Sequence, residues 1–223
     1  MHFHLVTLFP KAFDSYFGES ILKRALEDKK IRVSFYNPRD FVENKWKRVD
    51  RPPYGGGPGL VIEALPVIKA IEAAVKKAKG KVKIIFLSPR GKQLTNDYAT
   101  KAAKAYKHLI IVCGRYEGID ARVKRVFSAK GGSARGGKMD EVSVGPFVLT
   151  GGELPAMMIV DVVSRQLKGV LGNFDSLEER RVSTDEVYTR PEVFKYKGKS
   201  YRVPKILLSG HQAKIEEWKR RKS

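Results

Sequence analysis

Four short stretches concentrate the residues able to do chemistry: "DRPPYGGGPGL" (50–60), "LSPRGKQL" (87–94), "CGRYEGIDAR" (113–122) and "SVGPFVLTGGEL" (143–154). Three of them are rich in glycine, and successive backbone N–H groups in such loops can cradle an anion. A dinucleotide site, however, needs Gly-x-Gly-x-x-Gly after a strand, with an acidic residue about twenty positions on, and a P-loop needs Lys-Ser/Thr. Neither pattern is present. Two readings remain: plain turn glycines, or a slot walled by main chain, whose N–H and C=O groups could hold an adenine.

The elements that must position these stretches follow from hydrophobic period. "FHLVTLFP" is an apolar, alternating strand ended by Pro10, after which Phe13, Phe17, Ile21 and Leu22 recur at helical spacing. "IRVSFYNP" reads as a second strand and "EALPVIKAIEAAVKKAKG" as a helix stopped by Gly80. "KVKIIFLSP" is a third strand, "QLTNDYATKAAKAYK" a helix and "HLIIVCG" a fourth strand. Strands alternating with helices predict an α/β fold, a mostly parallel sheet with helices on both faces. Ligands bind such sheets beyond the carboxyl ends of the strands, where the four stretches fall. "VSVGPFVLTGGELPAM" reads as two strand-like runs around a Gly-Pro break, then a helix. "SAKGGSARGGK" (128–138) reads as a mobile basic loop. Beyond Leu171 the mixed charge without sustained period reads as a long connection before a last short helix, "HQAKIEEWKRRKS".

Composition narrows the partner. In 223 residues, 44 Lys and Arg against 24 Asp and Glu leave a net charge of +20, with a pI near 10.0, more than solubility demands. The implied partner is a polyanion. A membrane surface is disfavoured because no spanning run or basic amphipathic helix with a large apolar face occurs. No export signal is readable, so a cytoplasmic location is expected. Cys113 is the only cysteine, which excludes intrachain disulfides, and His2, His4, His108 and His211 show no metal-ligand spacing. No structural zinc is expected.

In this order, "YGGGPG", "LSPRG", "CGRYEGID", "SVGPFVLTGGELPAM", "DVVSR", "YTRPEVF" and "VPKILLSGH" resemble the bacterial tRNA (guanine-N1)-methyltransferase family of the SPOUT class, from Phe3 to about Trp218. The resemblance implies an α/β sheet whose C-terminal part is threaded into a deep trefoil knot, an exception to the rule against knots. It implies transfer of a methyl group from S-adenosylmethionine to N1 of the guanosine just 3′ of the anticodon in tRNA. It further suggests that Mg2+ takes part and that the protein is a homodimer with sites shared between subunits. The domains expected are 1–172 for the knotted methyltransferase unit, 173–190 for a flexible catalytic loop, and 191–223 for a C-terminal segment, truncated relative to the helical domain of family members.

Carried over residue by residue, the resemblance assigns the cofactor slot to Leu87, Ser88 and Pro89, to Gly114, Tyr116, Glu117 and Gly118, and to Val144, Gly145, Pro146, Phe147, Val148 and Leu149 with Gly151 and Gly152. Tyr116 and Glu117 either line the slot or face the target guanine. The side chains of Val144, Phe147 and Leu149 are equally compatible with strand core. Asp50, Arg51 and Tyr54 would lie near the tRNA or the facing subunit.

Methylating N1 of guanine means removing a weakly acidic proton, for which a carboxylate base is the expected device, while a cation near O6 stabilises developing charge. In the resemblance, Arg165 matches the cation; its alternative is an i,i+4 pairing with Asp161. The base is displaced. Ungapped counting sets Arg180 against the family's loop aspartate, and arginine does not give up its proton. Glu179 is the substitute expected, then Glu178 or Asp185; failing these, the activity is altered. The basic 128–138 loop and the Lys/Arg-rich C-terminus would supply phosphate contacts. Two competing readings are a SPOUT enzyme acting at another RNA site, and a non-catalytic, cofactor-responsive RNA-binding protein that kept the slot and lost the base.

Overall fold

The structure is a computed structural model that describes residues 1–128, 139–172 and 186–221. Five parallel strands form its sheet: β1 (His2–Val6), β2 (Arg32–Tyr36), β5 (Val82–Gln93), β6 (His108–Val112) and β7 (Asp140–Ser143), in the order β2-β1-β6-β5-β7. Between β2 and β5 lies a two-residue antiparallel ribbon, β3 (Asp50–Arg51) with β4 (Val61–Ile62), which brackets the "YGGGPG" turn.

Alternation decides which face each side chain covers. Phe3, Leu5, Ile85, Leu87, Leu109 and Ile111 join one buried cluster with residues of α2 (Ser20–Glu27), α4 (Asn96–Ala105) and α6 (Glu153–Arg165), while the short α1 (Asp14–Phe17) adds Phe17. Val6, Ile84, Phe86, Ile110 and Val112 join the other, with α3 (Ala64–Lys77) and α5 (Arg122–Ser128). Because both faces are covered, the runs Ile84–Leu87 of β5 and Leu109–Val112 of β6 are apolar without alternation, as the sequence reading required. Helix α3 turns Val67, Ala70, Ile71, Ala74 and Val75 inward, the i, i+3, i+4 stripe of a helix packed on a sheet. Helix α4 is capped by Thr95, whose Oγ1 accepts the Tyr98 N–H at 3.1 Å.

Two expectations are corrected and one helix was missed. "LSPRGKQL" is no terminal loop: β5 continues through it to Gln93, and its register against β7 shifts between Leu87 and Lys92, a bulge that bows Ser88–Gly91 outward. The "FVLT" run after the Gly-Pro break is not a strand, and Phe147 and Val148 are exposed rather than core. Helix α5 escaped the period reading because it buries only Val123 and Phe127.

The four-histidine spacing argument also failed in part. His2 and His108 are register partners on β1 and β6, and His4 lies on the same face two residues on, so nitrogens of all three lie within 4.8 Å of one another. Linear spacing could not reveal this, since 104 positions separate His4 from His108. Burial, aided by His2, His108 and Lys77, holds His4 down to about 3, so it is neutral at pH 7.

Contacts divide the chain between Leu171 and Gly172. The second unit contains an antiparallel hairpin, β8 (Val193–Tyr196) and β9 (Lys199–Arg202), followed by α7 (Gln212–Arg221). Lys197 and Gly198 turn it with φ of +46° and +74°, the two left-handed residues of a type I′ connection. Reading this stretch as an irregular connection missed the hairpin.

Candidate functional site

The carboxyl ends of β5, β6 and β7 open into a cleft of about 610 Å³, the crevice position at which open α/β sheets bind ligands. Its first wall is the bulge, with Leu87, Ser88 and Pro89. The turn after β6 supplies Gly114, Tyr116, Glu117 and Gly118. The third wall is the segment after β7, with Val144, Gly145, Phe147, Val148, Leu149, Gly151 and Gly152. Pro146 lies within that segment but does not face the cleft.

Close passage of main chain shapes this space. Gly152 donates its N–H to Gly114 O at 2.8 Å, and a Cβ at Gly152 would stand 2.6 Å from Cys113 Cα. Only glycine lets the chain cross there. At the other wall, Gly59 (φ +82°) leaves room for the Glu117 side chain, from which a Cβ would be 2.5 Å away. Glu117 N–H bonds Leu60 O, and Ile62 N–H bonds Gly118 O. The "YGGGPG" stretch therefore buttresses the Glu117 turn rather than lining the cleft, and Tyr54 stands fully exposed.

The residues that hold the walls together were not singled out by sequence. Glu153, the first residue of α6, is buried, receives Thr7 Oγ1 at 2.8 Å, and pairs with Arg115 Nε at 2.9 Å. Arg115 also lies over the Phe9 ring, 4.6 Å from its centroid. One carboxylate thus joins β1, the β6 turn and the start of α6. Across the cleft, burial would raise the Glu141 carboxyl. Hydrogen bonds from Ser88 and Lys124 and the charges of Lys124 and Arg90 outweigh that and hold it below the usual carboxylate range. The Cys113 thiol behind the crossing is pushed well up, first by burial and then by Glu153, so it is inert as a nucleophile.

Arg165 is elsewhere. It ends α6, whose start lies at the cleft, so it sits about 18 Å along the helix from Glu153. The structure does not bring it to the cleft of its own chain. Asp161, the alternative partner for Arg165, accepts the Tyr16 hydroxyl at 2.6 Å. Glu179, with Glu178, Arg180, Asp185 and the basic residues 130, 135 and 138, lies outside the described residues.

A parallel sheet, a cleft at its carboxyl edge and a main-chain crossing that only glycine permits define an α/β protein with a ligand-sized cleft walled in part by backbone. The chain belongs to the tRNA (guanine-1)-methyltransferase TrmD family, which matches residues 1–223 and whose fold is the SPOUT knot. A protein of Caldanaerobacter subterraneus subsp. tengcongensis named tRNA (guanine-N(1)-)-methyltransferase is 43% identical, covering 100% of this chain and 87% of that protein. Proteins of the same name from Dehalococcoides mccartyi and Desulforamulus reducens are 41% and 42% identical, again over 100% of this chain and over 86% and 84% of theirs. Among the described residues, no helix is long and apolar enough to cross a membrane.

Proposed function

We propose that this protein is a methyltransferase that transfers a methyl group from S-adenosylmethionine to N1 of the guanosine just 3′ of the anticodon in tRNA, acting in the cytoplasm. The observation that carries this reading is that family likeness spans the whole chain, while the loops carrying the family's cofactor motifs converge on one cleft. The net charge of +20 suits a tRNA substrate.

The cleft fits the methyl donor. Its volume admits a nucleoside-sized ligand, its walls present main chain at Leu87, Gly114, Gly118, Val144 and Leu149, and Phe147 and Tyr116 offer aromatic faces. When bound, the donor supplies an electrophilic methyl group. The protein's own tasks are to hold the guanine against the cleft, withdraw the N1 proton and stabilise charge at O6. Glu179 is the base in this reading, and Arg165 the cation.

Because Arg165 is remote from the cleft of its own chain, it serves the cleft of a second copy, and the active protein is a homodimer. The outer face of α6 supports this, since Leu154 and Met158 are exposed there at 55% and 37%, one turn apart and leading towards Arg165. A Mg2+ ion, which takes oxygen ligands, would find the Glu117 carboxylate at the cleft, whereas Glu141 is held by Lys124.

The test is to incubate purified protein with labelled S-adenosylmethionine and unmodified tRNA, then locate the methylated base. Label at N1 of the guanosine 3′ of the anticodon is expected. Tight donor binding without transfer would favour the non-catalytic RNA-binding reading, and label elsewhere would favour another RNA site.

A further inference from the structure

At the edge of the sheet opposite the cleft, three imidazoles meet at the amino ends of β1 and β6. We propose that His2, His4 and His108 form a binding site for a divalent transition-metal ion of the zinc class, which ties the two central strands together.

Geometry carries the proposal. The parallel register sets His2 beside His108, and His4 follows on the same face. His4 Nε2 and His108 Nδ1 already face each other at 3.0 Å. Around a tetrahedral ion with nitrogen ligands at about 2.0–2.1 Å, neighbouring nitrogens sit about 3.3 Å apart. Bringing the set, now within 4.8 Å, to bonding distance requires His2 to turn out of its stack on His4, where the ring centroids are 4.1 Å apart. Each ring also has a partner that fixes its plane: Ser34 Oγ at 2.9 Å from His2 Nε2, Tyr36 OH at 3.0 Å from His4 Nδ1, and Lys79 O at 3.0 Å from His108 Nε2. Such outer hydrogen bonds set the tautomer and orientation of metal-binding imidazoles.

Three neutral nitrogens and no carboxylate select zinc, copper, nickel or cobalt over magnesium and calcium. Helix α3 ends at Lys77, two residues before the Lys79 carbonyl, and the partial negative charge of a helix C-terminus favours a cation. The Lys77 ammonium, over the Tyr36 ring at 5.7 Å, opposes it. His2 is partly buried and His4 fully buried, so an ion would enter from the side of His2. Without an ion, one N–H bridges His4 Nε2 and His108 Nδ1; on loading, that proton stays on its own imidazole, moving for His108 from Nδ1 to Nε2, where the Lys79 carbonyl accepts it. The site shares no residue with the cleft.

Protein stripped with a chelator would be titrated with ZnCl2 by calorimetry and with CoCl2 by visible absorption, whose ligand-field bands report nitrogen ligation. One equivalent is expected to bind, with bands of tetrahedral cobalt that zinc abolishes and a raised unfolding temperature. His2→Ala and His108→Ala should each weaken binding by about 10-fold or more and lose the thermal shift, while His211→Ala changes neither. Metal-free unfolding curves of the variants show whether they remain folded, and His2→Ala, at a partly buried position near the chain's start, keeps the test valid should His108→Ala not fold. Failure of wild-type protein to bind one equivalent, or equal binding by a folded His2→Ala, would overturn the proposal.

Discussion

Glu153 is the residue on which the cleft's geometry turns. A carboxylate this deeply buried loses its hydration, and the Arg115 guanidinium and the Thr7 hydroxyl replace it. Arg115→Ala should therefore cost about 3 kcal/mol in denaturant unfolding, and adding Glu153→Gln should recover part of that, since an amide needs no counter-charge. "TGGELPAM" displays Glu153 in the sequence, but nothing local says that its charge is buried or that Thr7, 146 positions away, donates to it. At the chemical step, Glu179→Gln should lower methyl transfer about 100-fold or more with donor affinity unchanged. Full activity would remove Glu179 from the mechanism.

Among the elements, the crossing between the β6 turn and the start of α6 is the least tolerant. A Cβ at Gly152 would meet backbone, at Cys113 Cα and Gly114 N, and backbone just past the end of the buried strand β6 has little room to step aside. Gly152→Ala should weaken donor binding about 10-fold or more in calorimetry, which would be about 1.4 kcal/mol, and lower the unfolding midpoint. The two-run reading of "VSVGPFVLTGGEL" placed its first run as β7 and misjudged its second. Phe147, Val148 and Leu149 have strand-forming side chains, yet among the described residues no strand pairs with them, and they wall the cleft instead. The β8–β9 hairpin escaped for a related reason: its strands are mostly exposed, so the alternation that marks a half-buried strand is muted.

For the molecule as a whole, charge and assembly are the quantities at stake. Replacing Lys130, Arg135 and Lys138 with Ser should reduce tRNA affinity and flatten its dependence on log salt concentration by up to about 3 in slope. An unchanged slope would mean that these three residues make no phosphate contacts. If copies pair through α6, Leu154→Asp with Met158→Asp should shift the protein to monomer in sedimentation and abolish methyl transfer. Donor affinity should survive, because neither residue lines the cleft. Loss of donor binding along with the dimer would place the cofactor site across the interface instead.

By itself the sequence determined the parallel sheet with helices on both faces, the family, and three of the four stretches it marked as walls of the cleft. Hydrophobic period is a local property, and a glycine that a crossing demands remains visible as a glycine. Only the tertiary structure decided that Glu153 clamps three elements, that "YGGGPG" props the Glu117 turn, that Arg165 lies about 18 Å along its helix from the start of α6, and that His2, His4 and His108 meet. Those facts depend on which strands become neighbours and in what register, and strand pairing is settled by packing the whole sheet between its two helical layers.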